Sequence, residues 1–452
     1  MMTAGIVINM RRDSRLLTAA LVVAAAYSLV HLIVSGIIQP LRTPAIGQVI
    51  EELQPLYRLF TAGAASVDHP RQYGPVFLAV FHPVYQRTIA RPELLAWYAY
   101  AVDLIAIAIA FVATRRAMQR WAQLRGVTLP LLMTPALLLL WANFSPMYGV
   151  LAVKNVELWE LALIAIAGAA LLEERRWVAA WAIAAAALIK MLPLVFFPYL
   201  LLRDRRAFVY AMVALATLIT ASQLLYGYEM GFGYGPMIVT AALGGEGYGN
   251  PGGVWHENVS IRGLAFKAFG YLEEPGSRIA DYQLGYYVFV PPQWTPFARA
   301  TALIAEAAAV IWLVWRLFKD RVMPAAERLY WEWALIAIMM LILAPQISQD
   351  YMVLALGAFS YVLAGCMMRG DRSLWAQYVI AVLLVANVLP RGLFARLIGV
   401  GASAAFTGYD HLMLAEAYQY FGFPLLGLLI LVRVWNRLAD EAAPGLRQAA
   451  SG

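Results

Sequence analysis

The sequence predicts an all-α polytopic membrane protein, and three observations carry that prediction. Apolar runs recur along the whole chain, which is 62% hydrophobic and only 13% charged over 452 residues. Short arginine-rich turns separate those runs, as topogenic charge does. No stretch of soluble-domain size remains between them, so residues 1–452 read as a single integral membrane domain. The net charge of +7 lies mostly in short loops, and no basic patch outside them points to nucleic acid. The lone Cys366 sits in an apolar run, which excludes an intramolecular disulfide or a cysteine metal cluster.

The elements follow in order from apolar length and flanking charge. Leu16–Ile38 is preceded by Arg11, Arg12 and Arg15 and lacks a small-residue cleavage motif, so it reads as a retained first helix leaving the cytoplasm. Residues 39–74 form an external loop rich in proline and charge, with amphipathic surface helices expected over 46–65. The next segment, YGPVFLAVFHPVY at Tyr73–Tyr85, is too short and proline-bounded to span, which makes it re-entrant or interfacial. Leu94–Val112 crosses to the basic RRAMQRWAQLR, and Pro130–Asn143 goes out to an external loop, SPMYGVLAVKN. Val156–Leu172 returns to the basic EERR turn.

Trp177 to Arg206 is the most constrained stretch. It places Lys190 in the middle of an apolar run with arginines on both flanks, and an ammonium in hydrocarbon costs roughly 3 kcal/mol or more. A single crossing would put arginines on both sides of the membrane, so a helical hairpin fits better, with its turn between Lys190 and Pro193. Two legs of about 12 residues rise about 18 Å each, less than the roughly 30 Å hydrocarbon core. The turn therefore stops inside the membrane, and Lys190 is expected on the floor of a cavity open to the outside.

Ala207–Leu225 then goes out to the longest polar stretch, residues 226–296, whose many aromatics indicate a folded and functional external loop. Pro296–Phe318 returns to KDRVMPAAER, Trp333–Ala344 goes out, APQISQDY turns, and Met352–Met368 returns to RGDR. Trp375–Leu389 goes out, residues 390–411 are external, and the last helix ends in RVWNR. The count is about eleven to twelve crossings with both termini cytoplasmic.

Polar clusters that played no part in setting this topology fall together on the external side. They are Asp68-His69, Tyr73, Lys154-Asn155 with Glu157, Lys190, the HENVSIRG segment at 256–263 and the PQISQDY segment at 345–351. Ionisable groups at membrane depth facing one hollow suggest a binding or catalytic site. Lys190 has a second reading, an ion pair to Glu157 or Glu160 that holds helices together. Asn258 is either a sugar-hydroxyl ligand beside Trp255 or the cap of a short helix through Phe269. Gln349, Asp350 and Tyr351 stand at a helix start and have a second reading as no more than its cap, and Asp103 is assigned to interhelical packing. His31, His69, His82, His256 and His411 are scattered with no zinc spacing.

The order of these motifs, YGPVFLAVFHPVY, then KMLPL with PYLLLRDRR, then HENVSIRG and PQISQDYMVLAL, resembles the polyprenyl-phosphate-dependent glycosyltransferases of the GT-C superfamily, most closely glycosyltransferase family 87. The resemblance runs from the first helix to about Phe359. It implies a GT-C-like fold in a bacterial inner membrane and an inverting enzyme that moves a hexose, with mannose as one possibility, from a polyprenyl-phosphate donor. The acceptor would be a hydroxyl of a lipid or glycan on the external face. It also implies an acidic base soon after the first helix. This chain reads QPLRTPAIGQVIEELQP there, so the nearest carboxylates are Glu51 and Glu52, with Asp68 further on, and Asp350 stands where such enzymes usually carry His.

The chemistry asks for one carboxylate to remove the acceptor proton and a cation for the departing phosphate. Asp68 beside His69 is the first choice of base, with Glu51 or Glu52 next. Lys190 is the leading phosphate contact, followed by Arg262. The remaining substrate-binding candidates are His256, Asn258, His69, Tyr73, Lys154, Gln349, Asp350 and Tyr351. No cofactor is expected, a divalent cation having no support in the spacing, and the partners are the lipid-linked donor, the acceptor and membrane lipids. Two other readings stay open on the residues, a transporter or flippase of lipid-linked sugars and a family member without activity.

Overall fold

The computed structural model describes residues 19, 21–30, 32–34, 74–88, 92–153, 155–228, 231–236, 253–255, 258–273, 287–386 and 421–442. These residues are overwhelmingly helical. Four helical stretches among them are long and apolar enough to cross a membrane: Trp97–Leu124, Arg205–Tyr226, Thr295–Val322 and Asp350–Arg369. Several other apolar helices run only 10–17 residues, among them Met133–Ala142, Arg176–Ala187 and Arg372–Ala386. This is the all-α polytopic membrane class that the apolar runs predict.

Helix α1 (Pro75–Thr88) is the re-entrant candidate, and at 14 residues it rises only about 21 Å. Helix α2 (Pro92–Leu124) runs 33 residues, well past the expected end at Val112. Its basic stretch stays helical because Ala113, Ala117, Met118 and Trp121 recur at helical spacing and bury against the core while Arg115 and Arg116 face outward. The expected external loop after α3 (Met133–Ala142) is instead a helix, α4 (Ser145–Val153). Phe144, Met147, Val150 and Leu151 form a buried stripe at i, i+3, i+6 and i+7, a period hidden in the sequence by Pro146 and Gly149. That glycine lets α4 sit against Asp350, which a β-carbon at 149 would strike.

Helix α5 (Glu157–Leu172) is buried on nearly every face. It runs parallel to α2, since Trp159 Nε1 donates to Asp103 Oδ1 over 2.8 Å near one end and Arg116 pairs with Glu173 at the other. Asp103 is thus an interhelical tie. Small residues, Ala162, Ala165 and Ala169 on α5 with Ala179, Ala180 and Ala187 on α6 (Arg176–Ala187), allow close backbone approach. Gly168 leaves room for the Trp333 indole, since a β-carbon there would lie 2.6 Å from Nε1.

The hairpin takes the predicted form. Helix α6 climbs for 12 residues, a turn carries Lys190, and the 3-10 segment Leu192–Val195 leads into α7 (Phe196–Arg203). The feet of the two legs are joined by Arg176 Nε and Asp204 Oδ2 at 2.6 Å. Asp204 also caps α8 (Arg205–Tyr226) by accepting from the Ala207 amide over 3.1 Å. Arg203 turns inward to the buried Glu332 of α11 (Ala325–Leu343) and to the Leu317 carbonyl of α10 (Thr295–Lys319).

The described part of the 226–296 stretch is folded. Strands β1 (Gly253–Trp255), β2 (Tyr271–Glu273) and β3 (Tyr287–Phe289) form an antiparallel sheet in the order β1-β3-β2, and α9 (Ile261–Phe269) lies between β1 and β2 in the chain and packs on α10. Helices α12 (Leu356–Arg369), α13 (Arg372–Ala386) and α14 (Phe423–Glu441) complete the bundle. Arg316, fully buried, joins α10 to α14 through Asp440 and lies 5.0 Å from the Trp435 ring centre.

The start of α1 docks on the hairpin turn through its backbone. Gly74 N–H donates to the Ile189 carbonyl at 2.8 Å and Val76 N–H to the Leu188 carbonyl at 3.1 Å. A β-carbon at Gly74 would fall inside the Leu188 carbonyl group, 2.7 Å from its carbon. Gly74→Ala is therefore expected to lower stability by about 1–3 kcal/mol, read as a fall in the thermal midpoint of the detergent-solubilised protein. A second substitution works the other way. Glu174 holds φ 60° in the turn between α5 and α6, a left-handed conformation that costs a non-glycine residue roughly 1 kcal/mol, so Glu174→Gly should raise the same midpoint.

Candidate functional site

At the hairpin tip the chain collects its buried ionisable groups. Lys190 is 4% exposed, and Glu157 and Glu160 are fully buried in the first turn of α5. The sequence reading puts Lys190 on the floor of an open cavity; it is instead enclosed. Its ammonium donates to Glu157 Oε1, to the Tyr351 hydroxyl at 3.0 Å and to Asn155 Oδ1 at 3.5 Å. The ion pair to Glu157 realises the second reading of this lysine. Two causes place the carboxylates there. Residues 157 and 160 share a helix face at i, i+3, and the amide dipoles of a helix N-terminus favour negative charge.

The cluster is not saturated. Both carboxyl oxygens of Glu160, Glu157 Oε2 and the Tyr234 hydroxyl are buried without a hydrogen-bond partner among the described residues. Tyr234, 2% exposed, reaches in from the 226–296 stretch, and its oxygen lies 2.9 Å from where a β-carbon on Gly74 would stand. Glu160 lies within electrostatic range of Lys190, Glu157 and Tyr234. One ammonium thus faces two carboxylates in a desolvated setting, with acceptor and hydroxyl capacity left over. Unfilled polar groups of this kind are costly unless a ligand or water meets them.

Several sequence-predicted residues act elsewhere. Arg262 makes a two-pronged pair with Glu306 at 3.0 Å on each arm, tying α9 to α10. Asn258 is not the cap of α9. Ser260 is, accepting from the Gly263 amide over 2.9 Å, because its extended backbone points its hydroxyl at the first turn. The Asn258 side chain accepts from the Ser260 and Ile347 amides at 3.0 and 3.1 Å and donates to the Pro345 carbonyl at 3.2 Å. With Val259 N–H on the Ile347 carbonyl at 2.8 Å, it stitches the external stretch to the residues just before Asp350. That stitch sets the entry to the 3-10 segment Asp350–Ala355, from which Tyr351 reaches Lys190 and Asp350 meets Gly149.

Lys190 and Tyr351 are therefore brought together, while Asn258 and Arg262 support the frame around them. Asp68, Glu51, Glu52, His69, Tyr73, Lys154 and His256 lie outside the described residues. Two members of the cluster escaped sequence reasoning as ligand-binding groups. Glu160 carried a usable signal, an acidic pair at i, i+3 opening an apolar helix. Tyr234 carried none, being one aromatic among many in its stretch. Among the described residues no group of three or more His, Cys, Asp or Glu could hold a metal ion.

No curated protein matches the chain. The model of glycosyltransferase family 87 matches residues 72–262, a stretch that holds the start of α1, both glutamates of α5, the whole hairpin and Tyr234, and it supports reading this membrane protein as a glycosyltransferase.

Proposed function

We propose that the protein is an inverting glycosyltransferase that moves a hexose from a polyprenyl-phosphate donor to a hydroxyl of a lipid or glycan acceptor on the external side of the membrane. One observation carries the reading: Glu157, Glu160, Lys190 and Tyr234, all inside the stretch that matches a glycosyltransferase family, converge with Tyr351 from beyond it at the tip of a hairpin too short to cross the bilayer. A lipid-linked substrate keeps its prenyl chain in hydrocarbon, and its phosphate and sugar then meet polar groups held at the tip.

In the reaction the acceptor oxygen attacks the anomeric carbon from the face opposite the phosphate. Its proton passes to a carboxylate, the bond from the anomeric carbon to the phosphate oxygen breaks, and the bonding electrons leave with the prenyl phosphate. Asp68 is the proposed base, with Glu51 and Glu52 as the alternatives. Lys190 is the proposed phosphate contact, since a departing dianion needs a cation more than a proton donor; a phosphate oxygen would displace the most distant of its three acceptors, Asn155 Oδ1 at 3.5 Å. Glu160 and Tyr234 would take sugar hydroxyls, which satisfy the oxygens that the protein itself leaves unpaired. His69, Tyr73, Lys154, His256, Gln349 and Asp350 remain proposed contacts around them.

The test is transfer of labelled hexose from a polyprenyl-phosphate donor to membrane lipid by the purified protein. Asp68→Asn should lower turnover by about 10²–10⁴-fold, the usual worth of a general base. Full turnover in Asp68→Asn, Glu51→Gln and Glu52→Gln alike would remove all three as the base, and absence of transfer by the wild-type protein with every donor tried would end the enzymatic reading. Lys190 needs a paired design, because removing one partner of a buried ion pair costs about 3–5 kcal/mol by itself. The double variant Lys190→Met with Glu157→Gln removes both members of the pair and leaves Glu160 as the one ionisable side chain of the three. A phosphate contact predicts at least a tenfold loss of turnover with a near-normal thermal midpoint, whereas a purely structural pair predicts turnover retained.

A further inference from the structure

At the other end of α5 a groove separates α2, α5 and α6. Its inner part, ≈ 390 Å³, is lined by apolar side chains including Ile109, Val112, Ile166 and Val178. It opens into a polar hollow of ≈ 420 Å³ lined by Arg116, Arg120, Arg175 and Glu173 with two glutamines. Arg116, Glu173 and Arg175 line both parts, so the two form one continuous trough. Its span along α2, from residue 108 to 123, is about 22 Å, close to half of a bilayer roughly 40–45 Å thick with its headgroups.

The chemistry changes along that length as it does along a phospholipid. Val112 is 62% exposed and Ile109 41%, so the apolar part is open to the surroundings. At the mouth three guanidiniums face a single carboxylate. Glu173 pairs with Arg116 and, at 3.4 Å, with Arg175, which leaves an excess of two positive charges. Both arginines keep more than half of their side-chain surface exposed, at 56% and 60%. Helix α6 begins at the same point, and its N-cap Arg175 supplies no side-chain acceptor for the first amides. Planar guanidiniums and helix N-termini are both phosphate-binding groups. Glu173 lies 13 residues beyond Glu160 on α5, about 20 Å along the axis, so this trough is separate from the hairpin-tip cluster.

We propose that the trough binds an anionic phospholipid of the leaflet on the arginine-rich side, one acyl chain lying against Val112 and Ile166 and the headgroup phosphate on Arg116, Arg120 and Arg175. The excess positive charge selects an anionic over a zwitterionic headgroup, and the apolar section selects a lipid over a soluble anion.

The test incubates the detergent-solubilised full chain with equal amounts of phosphatidylglycerol and phosphatidylcholine of the same acyl chains and counts retained lipids by native mass spectrometry. At least fivefold preference for phosphatidylglycerol is expected in the wild type, falling below twofold in Arg120→Gln/Arg175→Gln, which alters only surface charge. Val112→Trp, which fills the apolar section and keeps the basic mouth, should reduce retention of both lipids. Equal retention in the wild type, an unchanged preference in the double variant, or unchanged retention in Val112→Trp would overturn the proposal. Release of bound phosphatidylglycerol by millimolar inorganic phosphate would also overturn it, by making the mouth a site for soluble anions.

Discussion

Burying the Lys190 ammonium is the constraint around which this end of the molecule is arranged. A hairpin with legs of about 18 Å cannot deliver its turn to bulk water across a hydrocarbon core of roughly 30 Å, so whatever the turn carries must be satisfied by protein. The nearest solution is a carboxylate presented from a neighbouring helix, and Glu157 in the first turn of α5 supplies it. Tyr351 and Asn155 take the remaining donors. A pair of this kind adds little net stability but is expensive to break, which makes it a device for fixing where helices begin relative to one another.

Once the turn is fixed, its backbone becomes a platform. The Leu188 and Ile189 carbonyls at the end of α6 accept from Val76 and Gly74, so α1 starts beside the hairpin tip. Phe81 on α1 then stacks on Trp159, whose indole is held by Asp103. From the opposite direction, Asn258 and Val259 bind the 345–347 backbone, and the segment carrying Tyr351 follows from there. Residues distant in the chain are thereby held around one small volume in which Glu160 and Tyr234 keep unfilled hydrogen-bonding capacity. An arrangement of that sort is preorganised, its polar groups being fixed before any ligand arrives.

The arginine-rich end is built on a different principle. Arg203, Arg316 and Arg116 are paired to Glu332, Asp440 and Glu173 respectively, and the first two join helices that are far apart in sequence. Where the pairing is incomplete, around Glu173, the positive charge is left at the rim of an apolar trough. The two ends of α5 thus carry opposite unbalanced charge, two carboxylates to one ammonium at its start and three guanidiniums to one carboxylate at its end.

What the chain's own pattern determined was class, segment order and the hairpin. Apolar length and arginine position are properties of local sequence, because transfer of a helix into hydrocarbon depends on its own residues; hence Lys190, the turn at Pro193 and the shortness of the 73–85 segment were all legible. The end of α2 and the helix at Ser145–Val153 were not, since each depends on a buried stripe whose partner surface lies elsewhere in the chain. The partners of Lys190, Arg262 and Asn258 were decided only by tertiary structure. Each of these side chains had more than one chemically reasonable use, and which one it takes follows from the nearest complementary group in space: Glu157, Glu306 and the 345–347 backbone.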